Sequence, residues 1–131
     1  MASKGRPFRT SSFEGFEILV GKGDTQNDRL TFEVAEPEDF WLHVVNFPGS
    51  HVVVRNPNRL AELPPAVLVH AARLAAWHSK ARGGRGKVEV HLCRAADVSQ
   101  PPDFPSGKVL LRRWQSLRVY PLEPPERPDE G

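Results

Sequence analysis

Residues 39–56 read DFWLHVVNFPGSHVVVRN. Two β-branched runs, 40–45 and 51–56, flank Phe47-Pro48-Gly49-Ser50, so the segment is expected to form two strands joined by a Pro-Gly turn. Strand alternation places Trp41, His43 and Val45 on one face, and His51, Val53 and Arg55 on one face of the next strand. With matching register, Trp41, His43, His51 and Arg55 share a surface, while Gly49 and Ser50 offer backbone N–H groups and a hydroxyl. Such an array suits phosphate oxygens with a stacked base or ribose. Two other readings stay open. The histidines are core residues bonded to backbone, or they are metal ligands, although zinc needs one or two more. Asp39, His70, His78 and His91 are the candidates, and none has a recognised ligand spacing to the pair.

The rest of the chain sets the frame for this segment. A length of 131 residues fits one domain, and a 39% apolar share can build a core without disulfides or metal. One cysteine, Cys93, leaves no intramolecular disulfide and fits a reducing compartment. The opening MASKGRPFRT has no apolar stretch for a signal sequence, and no run is long enough to span a membrane. A cytoplasmic, soluble protein without a membrane partner is expected. Residues 1–7 are expected to form a disordered basic arm, 8–121 a single domain, and 122–131 a disordered Pro- and acid-rich tail.

Charge is uneven along the chain. Between Arg73 and Arg94 six Lys/Arg face one acid, and Lys108 to Arg118 add four more with none. Acids collect in EVAEPED (33–39) and in the tail. A basic face on a chain of net charge +2 points to a polyanionic partner.

Glu14-Gly15 between FRTSSF and FEILV predicts a hairpin. Asp24 or Thr25 is expected to cap a short helix that buries Leu30 and Val34, with Pro37 ending it. PPAVLVHAARLAAWHSKARGG (64–84) predicts one long helix stopping at Gly83-Gly84. Its Val67, Leu68, Ala71, Leu74 and Ala75 would meet the sheet, and His70, Arg73, Trp77 and Lys80 would face outward. An outward tryptophan among cations suits RNA loops and single strands. KVEVHLC, KVLLRR and SLRVYP alternate as strands around a long loop at 95–107. The class is α+β: a mixed, largely antiparallel sheet with one long helix on a face and a second, short helix.

VGKGDT lacks the leading glycine and the Ser/Thr of a P-loop. His91 and Cys93 lack a distinctive third member for nucleophilic catalysis. No catalytic residue and no cofactor are expected.

GKGDTQNDRLTF, DFWLHVVNFPGSHVVVR, AARLAAWHSKAR, KVEVHL and PSGKVLLRRWQSLRVYP, in that order, resemble the NFACT-R domain over about residues 8–121. The set Asn27-Asp28, Trp41-x-His43, Gly49-Ser50-His51 and Ser79-Lys80-x-Arg82 carries the resemblance. It implies a non-catalytic RNA-binding module, akin to the short free-standing bacterial form. The implied partners are tRNA or rRNA, with the large ribosomal subunit, in ribosome quality control, translation or tRNA modification. A tRNA-modifying enzyme is a further implied partner. The companion domains of full-length members are absent from this sequence, so their tail synthesis is not carried over. Lys22 stands where arginine is expected, and 112–116 is individual. The residue pattern and the resemblance together give the expected RNA contacts as Lys22, Trp41, His43, Ser50, His51, Arg55, Arg73, Trp77, Lys80 and Arg82, supported by Gly21, Asn27, Asp28, Gly49 and Ser79. The alternatives are a metal-dependent hydrolase built on His43 and His51, and a protein-interaction adaptor using the Trp77 face or the tail.

Overall fold

The computed structural model describes residues 8–123. The arm at 1–7 and the tail from 124 onward lie outside the described residues. The first hairpin pairs β1 (Phe8–Phe13) with β2 (Phe16–Gly21). Its two-residue loop holds Glu14 at φ 54° and Gly15 at φ 85°, the left-handed geometry that matches strand twist. A short helix, α1 (Asp24–Arg29), passes directly into a π-helical turn, Leu30–Val34. Asp24 lies inside the first turn, so the expected side-chain cap is replaced by Gly23 at the N-cap. β3 (Phe40–Val44) and β4 (Val52–Val54) follow and pair antiparallel.

The second helix, α2, runs Pro65–Trp77, 13 residues. Pro65 sits where a helix has no use for an N–H. The helix is shorter than the sequence pattern predicts. It ends at Trp77 because the next residues leave it to bond the turn between β3 and β4. Gly83 and Gly84 therefore lie beyond its end, in a separate turn. β5 (Val88–Arg94) crosses the middle of the fold, and a 3-10 turn (Ala95–Asp97) leads into β6 (Val98–Ser99). β6 pairs with β7 (Leu110–Leu111) in a small ribbon, so KVLLRR contributes nothing to the main sheet. β8 (Gln115–Val119) closes the far edge.

The main sheet has the order β1-β2-β4-β3-β5-β8, and every pairing in it is antiparallel. The fold is α+β, with no parallel strand among the described residues. Both faces of the central strands are covered. On one, Ile18, Leu42, Val44, Val52, Val54 and Val90 pack against Val67, Ala71, Leu74 and Ala75 of α2. On the other, Leu19, Trp41, Val53 and Cys93 pack beneath Leu30 and Val98. The second layer comes from α1, the π-helical turn and the β6–β7 ribbon. Among the described residues, no helix is long and apolar enough to cross a membrane.

Leu42 is fully buried between sheet and α2. Leu42→Ala is expected to lower unfolding free energy by about 2–5 kcal/mol, through lost burial and the cavity left behind. Urea denaturation followed by circular dichroism checks this.

Candidate nucleic-acid interface

The turn between β3 and β4 is the hub of the candidate site. Asn46 turns the chain at φ 67°, a conformation asparagine tolerates better than most residues. Gly49 then pairs with Ser79 as an isolated antiparallel bridge. Ser50 donates its N–H to the His78 carbonyl at 2.9 Å, and Lys80 donates its own to the Pro48 carbonyl at 2.8 Å. A Cβ on Gly49 would lie 2.7 Å from the Ser79 Cβ, so this close approach requires glycine. The Ser79 hydroxyl donates to the Ala76 carbonyl at 2.7 Å and accepts from the Ala81 N–H at 3.1 Å. Ser79 thereby turns the chain at the end of α2.

A second clamp holds the other side of the turn. The Ser50 hydroxyl donates to the Gly21 carbonyl at 2.6 Å. Buried Asn27 accepts the His51 N–H at 3.0 Å and donates to the Gly49 carbonyl at 3.4 Å. Gly21 packs against the Asn27 side chain with no space for a Cβ. Asp28 reaches the other way, accepting from the Gly107 N–H at 2.9 Å and from Gln100 at 3.1 Å. Asn27 and Asp28 thus tie α1 to the turn and to the long loop.

These clamps enclose an open cleft of about 510 Å³, whose lining includes Lys22, Ser50, Trp77, Lys80 and Arg82. The Arg82 guanidinium lies over the Trp77 ring at 4.7 Å, a cation–π contact that holds a planar cation on an aromatic shelf. His78 lies in the same wall with its pKa pushed down to about 4, by burial first and then by Arg9 and Arg82. Among the described residues the lining carries three cations, Lys22, Lys80 and Arg82, and one carboxylate, Asp24.

Other predicted contacts fall elsewhere. Trp41 and His51 do share a sheet face with His43, as alternation requires, but each is only 1% exposed. They cannot touch a nucleotide chain in this state, because the π-helical turn and the long loop cover them. Trp41 donates its indole N–H to the Thr31 hydroxyl at 3.0 Å, and that hydroxyl lies 2.7 Å from His51 Nδ1. His51 Nε2 lies 3.2 Å from the Gly107 carbonyl, which can only accept. The consistent assignment is a neutral His51 that donates from Nε2 and accepts Thr31 at Nδ1. Both nitrogens are engaged, so this His51 has no lone pair for a metal. Arg55 is likewise framework, donating to the Val34 carbonyl at 2.8 Å and lying 3.2 Å from the Asp39 carboxylate.

Arg73 donates to the Tyr120 carbonyl at 2.9 Å and anchors the chain after β8, away from the cleft. His70, expected to face outward, stacks on Phe13 at 4.0 Å. Thr31 and Gly107, both partners of the His51 ring, were not among the expected site residues. Gly107 has φ 86°, and its PSGK context is the only sequence hint of a fixed turn there.

A sequence profile described as the NFACT protein RNA binding domain matches residues 6–113. The chain belongs to this family. The NFACT domain is also 41% identical over 108 residues to the Rqc2 homolog RqcH of Streptococcus suis, covering 81% of this chain and 18% of that protein. Against the Rqc2 homolog RqcH of Bacillus subtilis it is 36% identical over 110 residues, 84% of this chain and 18% of the relative. Against ribosome quality control complex subunit 2 of Saccharomyces cerevisiae it is 30% identical over 89 residues, 68% and 8% of the two chains. This NFACT chain thus spans about a fifth or less of the length of these relatives. A solved structure, the C-terminal part of the fibronectin/fibrinogen-binding protein from Streptococcus suis, superposes with a TM-score of 0.81 at 36% identity. That likeness covers 97% of this NFACT chain and 48% of the other.

Burial and the neighbouring His43 hold His51 down to about 4, against an ordinary value of 6.5. The unfolded chain therefore binds more protons between those values. Stability is fully present above pH 6.5 and is lost as pH falls toward 4, by roughly 2–3 kcal/mol from this group. His51→Gln, which does not titrate, is expected to flatten that part of the profile. Urea midpoints of both proteins at half-unit pH steps check it.

Proposed function

We propose that this chain is a non-catalytic RNA-binding module of the cytoplasm that engages tRNA or rRNA in ribosome quality control. The observation that carries the reading is the cleft that Lys22, Lys80 and Arg82 line together with Trp77, in a chain of the NFACT RNA-binding family. Cations neutralise phosphates and release their counterions, which supplies affinity without sequence preference. The Trp77–Arg82 pair offers a flat, positively charged surface to a base or sugar. The Ser50 hydroxyl already donates to the Gly21 carbonyl and offers its oxygen as an acceptor, for a ribose hydroxyl.

The yeast relative's name, ribosome quality control complex subunit 2, supports the ribosomal setting; the large subunit as the partner there is our own reading. The names of the relatives lend no support to a tRNA-modifying enzyme as partner.

Charge placement supports the same reading. A cleft lined by Glu17, Glu36, Glu38 and Asp39 lies at the other end of β2 and β4. From Gly21 to Glu17 is roughly 13 Å along the strand at about 3.3 Å per residue. That exceeds the screening length of about 8 Å at physiological salt, so these acids weaken the basic cleft only slightly.

The double variant Lys80→Ala/Arg82→Ala is expected to weaken binding to a structured tRNA several-fold at low salt. The slope of log affinity against log salt should become shallower by about 0.7–0.9 per cation removed. Arg59→Ala, at the acidic end, should leave both nearly unchanged. Binding isotherms at four salt concentrations check this, and an unaltered slope in the double variant contradicts the assignment.

A further inference from the structure

On the far side of the Asn46–Ser50 turn lies a second concavity, of about 350 Å³, that the basic cleft does not include. It is walled by rings. His43 and His91 are cross-strand partners on β3 and β5 and point to the same face. Trp114 leans over His91 with ring centroids 5.4 Å apart and an interplanar angle of 41°. His43 in turn stacks on Trp41 at 5.9 Å and meets His51 edge-on at 5.4 Å. The rings thus form a row from the surface into the core, with Trp114 as the outermost member. Val109, Leu110 and Leu111 form the opposing apolar wall, and Val45 and Asn46 close the end toward the turn.

Several features of the trough are those of a binding slot. Trp114 is 51% exposed and Leu110 50%, with no described segment covering them. Large exposed apolar side chains gathered at a concavity mark a contact surface. No carboxylate lines the trough among the described residues, and Arg113 precedes Trp114. His91 adds ring nitrogens able to donate or accept at a base edge, while the largely buried His43 ring is held by the Gly49 backbone and forms the floor. The volume falls within the range of small-ligand pockets, about 300–1,000 Å³. An aromatic shelf and an imidazole in a trough whose lining carries no carboxylate match a heterocyclic base, whose phosphate chain the cations of the basic cleft would hold.

The position supports the same occupant. One turn forms the boundary of both concavities: Pro48, Gly49 and Ser50 line the basic cleft, and Val45 and Asn46 line the trough. Phe47, 48% exposed, lies between the two sets of residues. A strand whose phosphates lie in the cleft needs only to cross this turn to deliver a base to Trp114. We propose that the trough bounded by Trp114, His91 and His43 takes one unpaired nucleobase of the RNA strand held in the basic cleft, an inference that rests on the RNA-binding reading above. Trp114 lies one residue beyond the segment that the family profile matches, whereas His43, His91 and Val109 to Leu111 lie within it.

The test uses the full chain and three RNAs sharing one hairpin: blunt, extended by a single-stranded adenosine tail, and extended by the same tail with abasic sites. Affinities are read by fluorescence anisotropy, with each tail placed at either end. The wild type is expected to prefer the adenosine tail over the abasic tail by about ten-fold, in the range of one base stacked on one aromatic ring. Trp114→Ala should abolish that preference, Trp114→Phe should retain most of it, and neither should change binding of the blunt hairpin. Thermal melts establish that both variants are folded, as expected for a half-exposed side chain. Equal binding of adenosine and abasic tails by the wild type overturns the proposal, and so does an intact preference in Trp114→Ala. A Trp114→Ala loss of equal size on all three RNAs also overturns it and points to a general surface contact. Absence of binding to any of the three by the wild type refutes the RNA-binding reading itself, a result distinct from the others.

Discussion

The close pairing of Gly49 with Ser79 is the constraint on which the candidate interface depends. It brings a strand–strand turn and the end of a helix within bonding distance, although 30 residues separate them in sequence. Any side chain at position 49 would push Ser79 away and open the bridge. Ser79 also bonds the carbonyl of Ala76 and thereby sets how the chain leaves α2. Lys80 and Arg82 therefore owe their place in the cleft to a contact that involves no charge. Asn27 completes the arrangement from below, satisfying the His51 N–H and approaching the Gly49 carbonyl.

This division of labour separates framework from contact. The buried polar groups form a connected set: Trp41, Thr31, His51 and Gly107 in one line, Asn27 and Asp28 beside it. Among the described residues, no buried side-chain nitrogen or oxygen lacks a hydrogen-bond partner. A satisfied buried network fixes one arrangement of the loops above it, because each lost bond would strand a desolvated group. The cations of the cleft then stand on a fixed base, with Arg82 held against the Trp77 ring.

Much of this was legible in the sequence. The alternation in 39–56 correctly placed Trp41, His43 and His51 on one face, and Glu14-Gly15 correctly marked the first hairpin. What alternation cannot reveal is what covers a face. The loop at 95–107, which looked structureless, carries a turn and a strand that pair with 110–111 and help to bury Trp41. The end of α2 was misjudged for a related reason. Helical propensity continues past Trp77, but a tertiary bridge outcompetes one more helical turn. Alternation put Arg55 in the contact group and Arg73 was expected to meet phosphate, yet each is bonded to a backbone carbonyl. Trp114 lay in a tract that looked merely individual, and its contact with His91 follows from strand register, which the sequence does not give.

The most direct test of the central claim is an amide NMR titration of the labelled chain with a structured tRNA. The account predicts that the largest shift changes fall on Lys22–Asp24, Gly49–Ser50 and His78–Arg82, the segments that line the cleft beside the Gly49–Ser79 bridge. Changes concentrated instead around Glu17, Glu36 and Arg59, or on the outer edge of β1, would contradict it.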